Sequence, residues 1–172
     1  IWGRCLMNHF KALVDWLKQA VTDQEQFHLG YADEASEFVR FNHAQVRQAG
    51  QVQQASLNLK LINDGRHADL GITLSGEAEL DRQRLANGLQ QLRETLPLLP
   101  PDPYLLLNPD AWHNHNEQLR PLPELAQVLD DISQAADGVD LVGFYAAGPI
   151  SRGFASSTGA FGWHRANRFN FD

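Results

Sequence analysis

The 172-residue sequence has one cysteine, Cys5, one methionine, Met7, and no long apolar run. A single cysteine excludes an internal disulfide framework and any cysteine-built zinc cage, and makes a reducing compartment the expectation. The apolar runs fall far short of the roughly 20 residues that a membrane-spanning helix needs. Asp15 and Lys18 interrupt the apolar positions near the start too early for the core of a secretion signal. Basic residues are also scarce: 14 Lys and Arg face 21 Asp and Glu, a net charge of −7. That balance excludes a general nucleic-acid binder, which needs cations in excess to neutralise phosphates. What is present suits a folded domain, because 43% hydrophobic and 20% charged residues lie outside the range of disordered chains. A chain of this length buries a core without cross-links. We take Met7 as the start of the native sequence and residues 1–6 as a non-native or misannotated leader.

Phe10, Leu13, Val14, Leu17 and Val21 recur at helical spacing and predict an amphipathic helix over residues 8–26 that covers a sheet. Gly30, Asp33 and Glu34 mark a loop, and residues 38–41 read as a short strand. After Gly50 the alternation is regular, with Ala55, Leu57, Leu59 and Leu61 on one face and Ser56, Asn58 and Lys60 on the other. Asn63-Asp64-Gly65 tolerates the positive φ of a tight hairpin turn, and Ala68, Leu70, Ile72 and Leu74 line the returning strand. Half of each strand is polar, so one sheet face is wet or covered by something outside the chain. Glu77, Glu79 and Asp81 suit the positive end of a second helix, which Leu85, Leu89, Leu92 and Leu96 continue. Pro97, Pro100, Pro101 and Pro103 stop it, and residues 97–123 form a long Pro-rich connection. A third helix begins near Pro123, carries Leu125, Val128, Leu129, Ile132 and Ala136, and ends at Gly138. Strands over residues 139–147 and 161–171 flank a Gly, Ser and Pro segment over 148–159. The order predicts an α+β two-layer sandwich, a largely antiparallel sheet with helices on one face.

The densest polar cluster is Trp112-His113-Asn114-His115-Asn116-Glu117. Two imidazoles and a carboxylate suit zinc, but chelating histidines sit four apart on a helix or alternate on a strand, and this stretch reads as a solvated loop. There is no H-E-x-x-H or H-E-x-x-x-H, no G-x-S-x-G, no G-x-G-x-x-G and no P-loop. By residue chemistry alone, no catalytic or metal site is predicted.

Three stretches carry a resemblance. The first is Ser36-Glu37-Phe38-Val39-Arg40-Phe41-Asn42-His43-Ala44-Gln45-Val46-Arg47-Gln48-Ala49-Gly50. The second is Gly143-Phe144-Tyr145-Ala146-Ala147-Gly148 followed by Ser151-Arg152-Gly153-Phe154-Ala155. The third is Trp163-His164 with Phe169-Asn170-Phe171-Asp172. Together they resemble the N-terminal domain of the TldD/PmbA (TldE) metallopeptidase family, historically called modulator of DNA gyrase, and they sit closer to the PmbA/TldE side. The resemblance spans most of residues 7–172. Where the family often has Asn-Ser before a glycine, Ser156 stands in place of the Asn.

The resemblance implies cytoplasmic proteolysis of small or unfolded peptides, with residues 7–172 as one N-terminal domain that shapes the peptide chamber. It implies a TldD/TldE-type partner subunit or a homodimer. The family's zinc motif belongs to a C-terminal domain absent from this chain, so zinc is expected there or in the partner subunit and no catalytic or metal residue here. The alternative is a non-catalytic module that binds peptides or a partner by strand addition. In either case the residues expected to meet peptide or partner are Phe41, Asn42, Arg47, Asn167, Arg168 and Phe169. They combine aromatics with polar groups on β-reading stretches, and Arg47 or Arg168 suits a peptide carboxylate. The competing structural reading makes these ordinary edge strands, with Phe41 and Phe169 in the core.

Overall fold

The computed structural model describes residues 3–172, with side chains from Leu6 onward. The elements are α1 (Gly3–Ala20), β1 (Gln26–Asn42), β2 (Gln45–Asn63), β3 (Arg66–Thr73), α2 (Ala78–Thr95), β4 (His113–Gln118), α3 (Leu125–Ala135), β5 (Gly143–Ser156) and β6 (Phe161–Phe171). The six strands follow the order β3-β2-β1-β5-β6-β4. The architecture is α+β, a mostly antiparallel sheet with helices. Ile1 and Trp2 of the expected leader lie outside the described residues; Gly3 to Leu6 form the first turn of α1, and Leu6 is buried.

The strands are longer than their sequence patterns predict. The expected loop at Gly30, Asp33 and Glu34 lies inside β1, and α1 ends at Ala20 rather than near residue 26. β2 starts at Gln45, well before Gly50, and β5 starts at Gly143 and runs through the expected Gly, Ser and Pro segment to Ser156. Glycine in β5 has a packing cause. A Cβ on Gly148 would lie 2.2 Å from the Ala35 carbonyl oxygen, and one on Gly153 would lie 2.8 Å from the Phe10 ring. These are positions of close approach rather than turns. The stretch expected to be a solvated loop, residues 112–117, overlaps β4, whose six residues are all exposed.

The chain divides into two compact units. The first comprises residues 1–32, 55–116 and 152–164. Its core joins Phe10, Leu13, Val14 and Leu17 of α1 and Leu85, Leu89 and Leu92 of α2 to Phe27, Leu29, Leu57, Leu59 and Leu61 of the strands. The hairpin keeps its expected register, with Leu57 opposite Ile72, Leu59 opposite Leu70 and Leu61 opposite Ala68. Asp64 (φ 51) and Gly65 (φ 68) both have positive φ, as a two-residue type I′ turn requires. The first part of the Pro-rich connection is pinned to this turn. Asp102 N–H donates to Gly65 O at 2.8 Å, Arg66 Nε donates to Leu99 O at 2.8 Å, and His67 Nε2 lies 3.1 Å from Asp102 Oδ2.

Two ionic knots tie the helices of this unit together. Asp81 is fully buried, and its carboxylate serves as the cap for the turn before α2. It accepts from Ser75 N–H (2.7 Å), Ser75 Oγ (2.8 Å) and Gly76 N–H (2.9 Å). His9 Nε2, from α1, donates to it at 3.0 Å. Burial alone would raise this carboxyl pKa, but the Ser75, Gly76 and His9 hydrogen bonds outweigh burial and hold it below the ordinary value. At the other end, Arg93 forks onto Glu25, Nε to Oε1 and Nη2 to Oε2, both at 2.7 Å, and also reaches Ala20 O at 2.8 Å.

The second unit comprises residues 33–54, 117–151 and 165–172. Leu125, Val128, Leu129 and Ile132 of α3 pack against buried Val39, Phe41 and Tyr145. Gly138, at φ 77, follows the helix. The turn between β1 and β2 has positive φ at His43 (51) and Ala44 (54). It carries no glycine, and Ala44 N–H donates to Leu141 O at 3.0 Å.

Asp81→Asn should destabilise the fold by about 2–4 kcal/mol at pH 7, because it misaligns a donor into a site built of donors. Asp81 has a depressed pKa, so its contribution is present above the ordinary aspartate value of about 3.9 and is lost as pH falls through the lower folded value. Denaturant unfolding across pH 2–7 should therefore show the gap between wild type and variant closing in acid. A gap that stays constant to pH 2 contradicts this account. On the hairpin, Leu59→Ala should cost about 2–5 kcal/mol and Lys60→Ala under about 1 kcal/mol. Equal losses by the same measurement would overturn the assignment of faces.

Candidate functional site

In the first unit the helices occupy one sheet face, and side chains that alternate with the core residues reach the other. His28 lies between buried Phe27 and Leu29, Asn58 and Lys60 alternate with Leu57, Leu59 and Leu61, and Phe154 precedes buried Ala155. The rings on this uncovered face form a row across the strands. His28 and Phe154 have centroids 5.4 Å apart, and Phe154 and Trp112 stack at 5.9 Å with an interplanar angle of 7°. A Cβ on Gly162 would lie 2.9 Å from the Trp112 ring, so the glycine lets the indole lie flat on β6. The row thus runs from β1 through β5 and β6 to the residue before β4.

Burial, and then the charge of Lys60, lower the His28 pKa below its ordinary value. Near neutral pH the imidazole is uncharged and can serve as a donor at one nitrogen and an acceptor at the other. The side chain of Asn58 donates to Asp69 at 3.2 Å on the neighbouring strand. The face therefore offers aromatic surface with a few polar groups, the composition of a recognition surface rather than of a nucleophile with its base.

In the second unit, Phe38 and Arg40 alternate with Val39 and Phe41, which face α3. Phe38 and Phe144 stack at 5.7 Å with an interplanar angle of 23°. The Arg40 guanidinium lies over both rings, 6.0 Å from Phe38 and 5.7 Å from Phe144. A Cβ on Gly50 would come within 2.9 Å of the Phe38 ring.

The expected site residues all fall in the second unit and differ in exposure. Phe41 is buried against α3, and its ring meets Phe171 edge-on at 6.1 Å. Asn42 ends β1, which is an interior strand of the sheet and not an edge. Arg47 and Arg168 are exposed. Asn167 Nδ2 donates to Arg120 O at 2.7 Å. Phe169 is 62% exposed, so the structural reading that put it in the core is corrected: it lies near the end of β6. The histidine cluster lies on β4, where His113 stacks on Phe161 at 5.4 Å. No group of three or more His, Cys, Asp and Glu able to hold a metal occurs among the described residues.

A shallow cleft of about 410 Å³ in the first unit lies beside Lys18, Asp23, Glu25, Ser157 and Thr158. Its groups have structural duties. Ser157 Oγ accepts from Phe27 N–H at 3.2 Å and Glu25 is held by Arg93. Ser156 accepts from Ala160 N–H through Oγ at 3.2 Å and closes the β5–β6 turn.

Sequence reasoning gives no site role to His28 or Phe154 and takes Trp112 only as a member of the histidine cluster. For His28 and Phe154 the available signal was the buried strand residue beside each, Phe27 and Leu29 for the first and Ala155 for the second, which places the ring on the far face; Trp112 has no such neighbour in the sequence.

Neither protein-family models nor curated proteins yield a match to the sequence. Solved structures share its fold. TldE from Thermococcus kodakarensis matches with a TM-score of 0.66 at 13% identity, covering 95% of this chain and 42% of that one. A protein from Bacteroides thetaiotaomicron described as a modulator of DNA gyrase matches with a TM-score of 0.60 at 17% identity, over 96% of this chain and 39% of that one. Another so described, from Thermotoga maritima, gives 0.56 at 9% identity, over 95% and 38%. The chain spans about two fifths of the length of these structures.

His28 provides a test of the uncovered face. Lys60→Gln should raise the His28 pKa, because it removes a neighbouring positive charge, yet leave it below the free-histidine value of about 6.5 because burial persists. An imidazole titration followed by NMR that is unchanged by the substitution would place Lys60 elsewhere.

Proposed function

We propose that the chain is the N-terminal domain of a TldD/PmbA-type protein, closer to the TldE side, and that it shapes the chamber in which small or unfolded peptides are cleaved. The observation that carries this reading is the shared fold with TldE over 95% of the chain. The three sequence stretches that resemble the family add to it. The aromatic rows on the uncovered faces supply what such a chamber needs from this chain: apolar surface and a few polar groups that hold an extended peptide without demanding one sequence.

The described residues do not fit zinc, since none of their His, Cys, Asp and Glu groups could hold a metal. In this reading zinc belongs to a C-terminal domain or to a TldD-type partner subunit, and would supply the activated water there. The residues of this chain bind and orient the peptide. The setting that goes with this reading is the cytoplasm, as the sequence resemblance implies. No described helix is long and apolar enough to cross a membrane. A second reading is a non-catalytic module that binds peptides or a partner, and the rings and few polar groups on the uncovered faces favour it.

The full-length protein, purified with its partner subunit, should cleave an unstructured peptide and lose that activity to a chelator. The 172-residue chain alone should cleave nothing. Peptide cleavage by the isolated chain would contradict the proposal. A full-length assembly that binds peptides but neither holds zinc nor cleaves them would support the binding-module reading instead.

A further inference from the structure

Among the described residues, Arg40 is the strand arginine that lies on an aromatic pair, and no acid engages it. Its guanidinium covers the stacked rings of Phe38 and Phe144, and no ion pair or side-chain hydrogen bond among the described residues involves it. The residue is exposed, on the sheet face away from α3. Other arginines of the chain are spent on structure: Arg93 on Glu25, Arg82 on Glu79, Arg66 on Asp64 and Leu99.

Three physical consequences follow from this arrangement. The rings restrict the guanidinium, so less rotamer entropy is lost when it takes a ligand. A guanidinium presents a planar fork that matches a carboxylate in two parallel hydrogen bonds. The phenyl surfaces beside it favour an apolar group next to that carboxylate. In a chain of net charge −7, an unengaged cation on an aromatic floor is a local exception to a field that otherwise repels anions.

We propose that Arg40, Phe38 and Phe144 form a receptor for the free C-terminal carboxylate of a peptide whose last residue is apolar. Arg40 binds the carboxylate, and the two rings bind the terminal side chain. Gly50 keeps the floor open, since any side chain there would push into Phe38. The proposal rests on the peptide reading above and assigns it one anchoring point.

The probes are acetyl-Ala-Phe as the free acid and as the C-terminal amide, titrated into the 172-residue chain while the Arg40 Nε–H and the Phe38 and Phe144 ring signals are followed by NMR. The free acid should bind at least about tenfold more tightly than the amide and should shift those signals. Arg40→Gln should abolish the preference, and Arg40→Lys should restore only part of it because an ammonium lacks the fork. Circular dichroism and melting of both variants should match wild type, since the residue is exposed. Equal affinity for acid and amide would overturn the receptor while leaving peptide binding intact. A preference that survives Arg40→Gln would place the carboxylate elsewhere. Absence of binding by either probe would overturn the receptor, and a longer unstructured peptide that also fails to bind would count against the peptide reading as well.

Discussion

A buried carboxylate organises the first unit. Asp81 has no solvent contact, and its charge is tolerable because four donors surround it, two backbone N–H groups, a hydroxyl and an imidazole, with Arg84 Nη1 3.9 Å away. Those donors come from the turn before α2 and from α1. The carboxylate therefore fixes where α2 starts and where α1 lies beside it. The Arg93 fork onto Glu25 and Ala20 does the same at the other end. With both helices held at two points, the leucines of β2 and the aromatics of β1 have one face to fill, and the polar alternates are left facing outward.

That division explains what was legible in the sequence. The β2–β3 hairpin is readable from local chemistry alone, since Asp64 and Gly65 accept positive φ and the leucines alternate across eight residues of pairing. The helix stripes are readable for the same reason. The misread elements are those whose cause is distant. Gly30, Gly148 and Gly153 look like turn residues, yet they sit in strands, and at Gly148 and Gly153 another chain segment or ring needs the room of a missing side chain. β4 has no apolar residue and no buried one, so its strand state comes from its position beside β6, which sequence periodicity cannot report. His43 and Ala44 make a positive-φ turn without glycine, a conformation that local preference disfavours. Asp81 was expected to favour the helix dipole; the larger effect is its cap of Ser75 and Gly76.

The candidate site was less legible than the fold. Phe41 and Phe169 looked alike as aromatics near polar groups, but one is sealed under α3 and the other is open. Which face a strand residue takes depends on the helix that covers the opposite one, and the strand segment alone does not state it. The rows His28–Phe154–Trp112 and Phe38–Arg40–Phe144 emerge only when strands distant in sequence are placed side by side. Their chemistry suits recognition. Rings and an imidazole in one unit, and a guanidinium on two rings in the other, can hold a chain by surface contact.

The central claim is that the uncovered sheet faces, and not the helices, meet the peptide. A photoreactive benzoylphenylalanine placed at Asn58, on the uncovered face, or at Gln90, on the exposed side of α2, tests it directly within the full-length protein and an unstructured peptide. The account predicts a covalent peptide adduct from position 58 and none from position 90. Adducts of equal yield from both positions, or from position 90 alone, would contradict it.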